Sequence, residues 1–147
     1  MSDLAQKSKM SDKTANWSSV SPDEAVPFEA TLNSSARTLA LHIADIVTET
    51  PASNTVLLQI TDISSIADFF LICSGENDRQ LRAIAETINE ELANNGIRPS
   101  RTEGTPQSGW IVMDFGDVIV HIFHPELREF YRMEQLWAEA PRVLSIQ

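Results

Sequence analysis

The sequence predicts an α/β fold: a mixed five-stranded sheet with helices packed on it, in the order α-β-β-α-β-β-β-α. Three observations carry this. The run Phe69 to Ser74, FFLICS, is apolar almost throughout, as a strand covered on both faces should be. Two segments, one from Ser35 and one from Asp78, repeat apolar residues at helical spacing. The stretch Trp110 to Phe123, WIVMDFGDVIVHIF, sets two strand-like runs either side of a glycine-containing turn.

The elements follow in order. Residues 1–34 are rich in Ser, Asp, Lys, Thr and Pro, with Trp17 and Phe28 scattered among them, and read as a disordered tail. Residues 35–147 form the domain. Leu39, Ile43, Ile46 and Val47 mark the first helix, with Pro51 just past its end. Thr55 to Asp62 is the first strand, Ser64 to Asp68 a short turn, and Phe69 to Ser74 the second strand. Gly75 breaks that strand. Leu81, Ile84, Ala85, Ile88 and Leu92 stripe the next helix, which Asn95-Gly96 stops. Ile97 to Glu103 is the third strand; Trp110 to Met113 and Val118 to Phe123 are the fourth and fifth. Pro125 opens a last helix to about Ala140, ended by Pro141.

Two hairpin registers fit the turn. A two-residue loop at Phe115-Gly116 pairs Trp110 with His121. A three-residue loop with Gly116 beside a bulge pairs Trp110 with Val120. Phe-Gly is a poor two-residue loop, which favours the bulged form. The one-residue slip between them changes what Trp110 faces.

Charge narrows the function. The chain carries a formal net charge of −10. All three lysines lie in the first thirteen residues; from Ala36 onward eight arginines stand against sixteen carboxylates. Such a surface repels phosphate backbones, so direct nucleic-acid binding is disfavoured and a basic protein partner is favoured. The lone cysteine, Cys73, sits in an apolar run and reads as a buried free thiol of a reducing compartment. No run is long enough to span a membrane, and the first residues lack the apolar block of a secretory signal. The expected location is cytoplasmic. No cofactor or metal-ligand cluster is suggested.

The chain resembles the ribosomal silencing factor family, also called Iojap-like. The resemblance rests on TDISSIADFFLICSG, DRQLRAIAE, Glu103-Gly104, WIVMDFGDVIVHIF and REFYRMEQLW, in that order, over about residues 36–140. It implies a nucleotidyltransferase-like fold without catalysis. It further implies binding to the fourteenth large-subunit ribosomal protein, on the face where the small subunit docks. Joining of the two subunits is then sterically blocked, and translation falls when nutrients are short. A homodimer is implied for the free protein.

Each candidate residue has two readings. Trp110 is a core plug or an exposed anchor; the resemblance favours the anchor. Glu103, Asp114 and Asp117 either pair with partner cations or serve turn geometry. His121, in an apolar strand, is a hydrogen-bonded structural group or part of the same patch. Arg79 and Gln80 follow a strand–Ser-Gly–helix junction that resembles an anion-binding turn, though a single glycine is a weak signal. Arg128 and Glu134 are too far apart for a pair within one helix and tie that helix to the sheet or to a second copy. Phe130 and Trp137 fall at core spacing. The competing enzyme reading needs carboxylates converging on metal, and Asp62, Asp68 and Asp114 are its candidates.

Overall fold

The computed structural model describes residues 28–147, with side chains from Ser35. The expected tail lies outside the described residues, except that 28–34 are already helical. The first helix, α1, therefore runs Phe28–Val47 and starts ahead of Ser35. The strands are β1 (Ser53–Gln59), β2 (Phe69–Ser74), β3 (Arg101–Glu103), β4 (Trp110–Asp114), β5 (Val118–Phe123) and β6 (Arg142–Ile146). The further α-helices among the described residues are α2 (Asp78–Ala93), α3 (Pro125–Tyr131) and α4 (Met133–Leu136), and Pro106–Ser108 forms one 3-10 turn.

The sheet is mixed, as expected, but has six strands in the order β3-β4-β5-β2-β1-β6. The extra strand, β6, pairs antiparallel with β1 and follows Pro141 directly. β2 and β5 pair in parallel; every other neighbouring pair is antiparallel. All six positions of β2 are buried, as its apolar sequence requires of a central strand.

The unit from Asn33 to Gln147 has two cores, one on each face of the sheet. The first face carries Leu57, Leu71, Val120 and Ile122 under Ile43 and Val47 of α1 and Leu81, Ile84, Ile88 and Leu92 of α2. Asn77 starts α2 by accepting from the Gln80 amide at 2.9 Å. The second face carries Val56, Leu58, Phe70, Ile72 and Phe123 under Met133 and Ala140, with Leu127 and Trp137 at the margin.

The last helix breaks in two. Arg132 takes φ +51°, left-handed, and separates α3 from α4. The break explains two departures from the sequence reading. Phe130, expected in the core, is 74% exposed, because the single stripe assumed for an unbroken helix does not exist. Trp137 does reach the second core, edge-on to Phe70 with centroids 5.3 Å apart.

Both expected hairpin registers are incorrect. Trp110 pairs with Phe123, Val112 with His121, and Asp114 with Ile119. The loop is Gly116-Asp117, closed by the Phe115 amide donating to the Val118 carbonyl at 2.9 Å. Gly116 takes φ +89° at the first loop position, where a primed hairpin turn requires glycine. The Asp114 carboxylate accepts from the Gly116 amide at 2.8 Å and fixes the turn.

Candidate functional site

The observed register puts Trp110, Val112, Asp114, Ile119, His121 and Phe123 on the second face. Arg101 and Glu103 of β3 join them, since they pair with Asp114 and Val112. No helix fully covers this half of the face: Trp110, Val112, Asp114 and Ile119 stay half-buried, and Arg101 and Glu103 are exposed.

Trp110 is held from three sides. Its ring stacks on Phe123 at 4.7 Å and lies 4.8 Å from Tyr131 of α3. Its indole N–H donates to His121 Nδ1 at 3.2 Å. Behind it, Gly104 (φ +88°) packs so closely that a Cβ there would lie 2.0 Å from the Trp110 carbonyl oxygen. Trp110 is thus neither the core plug nor the free anchor of the sequence reading. It is a pinned ring with one side open.

His121 is buried, and burial lowers its imidazole from 6.5 to about 4. It is therefore neutral at ordinary pH. Because Nδ1 accepts from Trp110, the ring proton resides on Nε2. Among the described residues that Nε2 is buried without a hydrogen-bond partner. Phe70 meets the same ring edge-on at 4.8 Å. His121 is thus a support for Trp110 beneath the surface.

The charged candidates divide. Arg101 lies 3.2 Å from Glu103 and 3.8 Å from Asp114, a loose exposed cluster worth little to stability. Asp117 sits in the hairpin loop, where its backbone carbonyl accepts from the amides of Asp68 and Phe69. Partial burial, and secondarily the Asp68 charge, raise its carboxyl pKa. Arg79 and Gln80 lie on α2, in the other layer. The Gln80 side chain accepts from the Glu76 amide at 2.9 Å, so it serves the start of its own helix. Arg79 is exposed beside Glu76, Asp78 and His124. His124 precedes α3 at its cap position, but its side chain makes no cap bond.

Arg128 settles a different question. It is 9% exposed, and its guanidinium grips Glu134 through two bonds, of 2.9 and 2.7 Å. It also donates to the Asn54 carbonyl and to Ser74 Oγ. The break at Arg132 is what brings this pair together. Sequence spacing did not reveal the break, since Arg132 is neither Gly nor Pro. The bond to Arg128 is the first cause of the lowered Glu134 pKa.

The enzyme reading meets a geometric obstacle. Among the described residues no three His, Cys, Asp or Glu side chains gather as a metal site would require, so Asp62, Asp68 and Asp114 do not converge. Cys73 is buried and free, as expected, and burial pushes its thiol up to about 12. No described helix is long and apolar enough to cross a membrane.

The geometry can be set beside known proteins. Residues 33–147 match the family model described as ribosomal silencing factor during starvation. A ribosomal silencing factor of Halalkalibacterium halodurans is 43% identical over 97 residues, 66% of this chain and 83% of that protein. One from Bacillus subtilis is 42% identical over 90 residues, 61% of this chain and 76% of the relative. A crystal structure of a Bacillus halodurans protein superposes with a TM-score of 0.65 at 37% identity, over 74% of this chain and 98% of that one. The chain belongs to the ribosomal silencing factor family.

Proposed function

We propose that this protein is a translational repressor that acts by binding rather than by catalysis. The open half of the second sheet face docks on the large ribosomal subunit, through its fourteenth ribosomal protein. Bound there, it blocks joining of the small subunit and lowers translation under nutrient limitation. No cofactor takes part, and the free protein in the cytoplasm pairs with a second copy.

One observation carries the docking surface. Trp110 spends its indole N–H inward, on His121. What remains outward is a flat apolar ring, continuous with half-buried Val112 and Ile119 and edged by Glu103 and Asp114. Aromatic anchors of this kind dominate binding energies, and carboxylates at the rim select a basic partner. Glu103 and Asp114 now share Arg101, which a partner's cation would displace. Arg79, Gln80 and Asp117 contribute only if the partner reaches beyond this face.

The test is co-sedimentation with purified large and small subunits, using wild type and Trp110→Ala. Wild type pelleting with large subunits and preventing their association with small ones, with the variant failing, is the expected result. Unchanged pelleting by a folded variant would remove Trp110 from the interface. Light scattering of the free protein checks the second copy.

A further inference from the structure

The cleft between the α3–α4 break and the β1–β6 edge lies apart from the open sheet face. It has a volume of about 580 Å³, within the range of small-ligand pockets. Arg128, Arg132 and Arg142 all line it. Three of the eight arginines beyond Ala36 thus converge on one concavity of a strongly acidic chain.

Its backbone is unusual as well. Asn54 and Arg132 are the two non-glycine residues with positive φ among the described residues, both at +51°, and both line this cleft. Such conformations are costly and concentrate at ligand sites. Arg128 ties the two strained points together, since it donates to the Asn54 carbonyl from the helix that Arg132 ends.

Charge decides the ligand class. Glu129 and Glu134 also line the cleft. The Glu134 carboxylate is held on both oxygens by Arg128, at 2.9 and 2.7 Å, and its charge also acts on Arg142. Three guanidiniums, of Arg128, Arg132 and Arg142, thus face two carboxylates, of Glu129 and Glu134. Four of the five Arg128 N–H groups are used, which holds the guanidinium fixed and leaves one to point elsewhere. Planar guanidiniums at a polar, rigid floor suit tetrahedral oxyanions. The surrounding acidity opposes a long polyanion and tolerates a compact one.

We propose that this cleft binds a small phosphate-bearing ligand, of nucleotide size or less, with Arg132 and Arg142 as its charged contacts and Arg128 as its floor. The site is independent of the docking face, so either can fail alone.

The experiment is an amide NMR titration of the full chain with pyrophosphate at low ionic strength. Wild type is compared with an Arg132→Gln/Arg142→Gln double variant. Both substitutions leave the Arg128–Glu134 bridge untouched, and Gln tolerates the Arg132 backbone no worse than Arg does. Saturable shifts at Asn54, Ser74 and Arg132, weakened at least about tenfold in the double variant, are expected. Absence of saturable binding by wild type, or equal affinity in the variant, would overturn the site. A single-stranded RNA oligonucleotide without terminal phosphates should leave these amides unmoved. If it displaces pyrophosphate from them, the ligand is a nucleic-acid backbone and the small-ligand assignment fails. Large-subunit co-sedimentation of the double variant should be unchanged, which separates this site from the docking face.

Discussion

On one face of the β4–β5 hairpin, Ile111, Met113, Val120 and Ile122 are closed off from water; on the other, Trp110, Val112, Asp114 and Ile119 stay half-covered. The residue types are similar. The difference lies in what packs on them. α1 and α2, of 20 and 16 residues, close the first face. α3 and α4, of seven and four, cover β1, β2 and Phe123 of β5, and leave β3, β4 and Ile119 only partly covered. An apolar pattern on both sides of a hairpin therefore says that both sides seek cover, and not that this chain supplies it. His121 and Phe123 are the exceptions on the open side: both are buried, His121 against Trp110 and Phe70.

Substitutions on the two faces should separate stability from binding. The largest effect belongs to the closed face. Ile122→Ala opens a cavity at a residue with no exposed surface and should cost about 4 kcal/mol in denaturant unfolding. Whatever fraction stays folded should still bind large subunits. Binding lost in proportion to nothing but folded protein would fit; a separate binding defect would join the faces.

His121 comes next. Its imidazole is depressed in the folded chain, from 6.5 to about 4, so the unfolded chain takes up a proton between these values that the folded chain refuses. Stability should fall as pH drops through that window, by about 3 kcal/mol in total, and this contribution is complete above it. His121→Phe should flatten that slope relative to wild type. An unchanged slope in the variant would place the pH response elsewhere.

Trp110→Ala, on the open face, should weaken large-subunit binding by about 2 kcal/mol or more, and lower stability less than Ile122→Ala does. The reverse ranking would make Trp110 a core residue after all. The smallest effect lies at the turn between the faces. Asp117→Asn removes a carboxylate that burial and Asp68 disfavour, and keeps the backbone acceptor for Asp68 and Phe69. It should raise stability by less than about 1 kcal/mol at neutral pH, read as a small rise in Tm.

How much of this was legible beforehand depends on how local the signal is. FFLICS announced a central strand because every position needed cover, and Phe69–Ser74 is that strand. The stripe of α2 and its Asn-Gly stop were equally local. β6 was missed because five residues after a proline make an edge strand only when β1 is there to pair with. The register was missed because Phe115-Gly116 was weighed as the loop, whereas glycine serves best as the first residue of Gly116-Asp117. The left-handed turn at Arg132 has no compositional mark. It is held by tertiary bonds from Arg128, and the exposed Phe130 and the cleft both follow from it. Trp110 stood out in the sequence as an aromatic at a strand start, but its bond to His121 depends on the register and was not foreseen.

The break at Arg132 has a consequence in time. Helices of seven and four residues fall well short of the ~12–15 needed to persist alone in water, so α3 and α4 exist only while docked. Their amides should exchange with solvent sooner than those of β2 or α2, through openings that leave the sheet intact. Tyr131 would leave the Trp110 ring in each such opening, so the exposed part of the ring would widen for short intervals that a partner on the open face would lengthen.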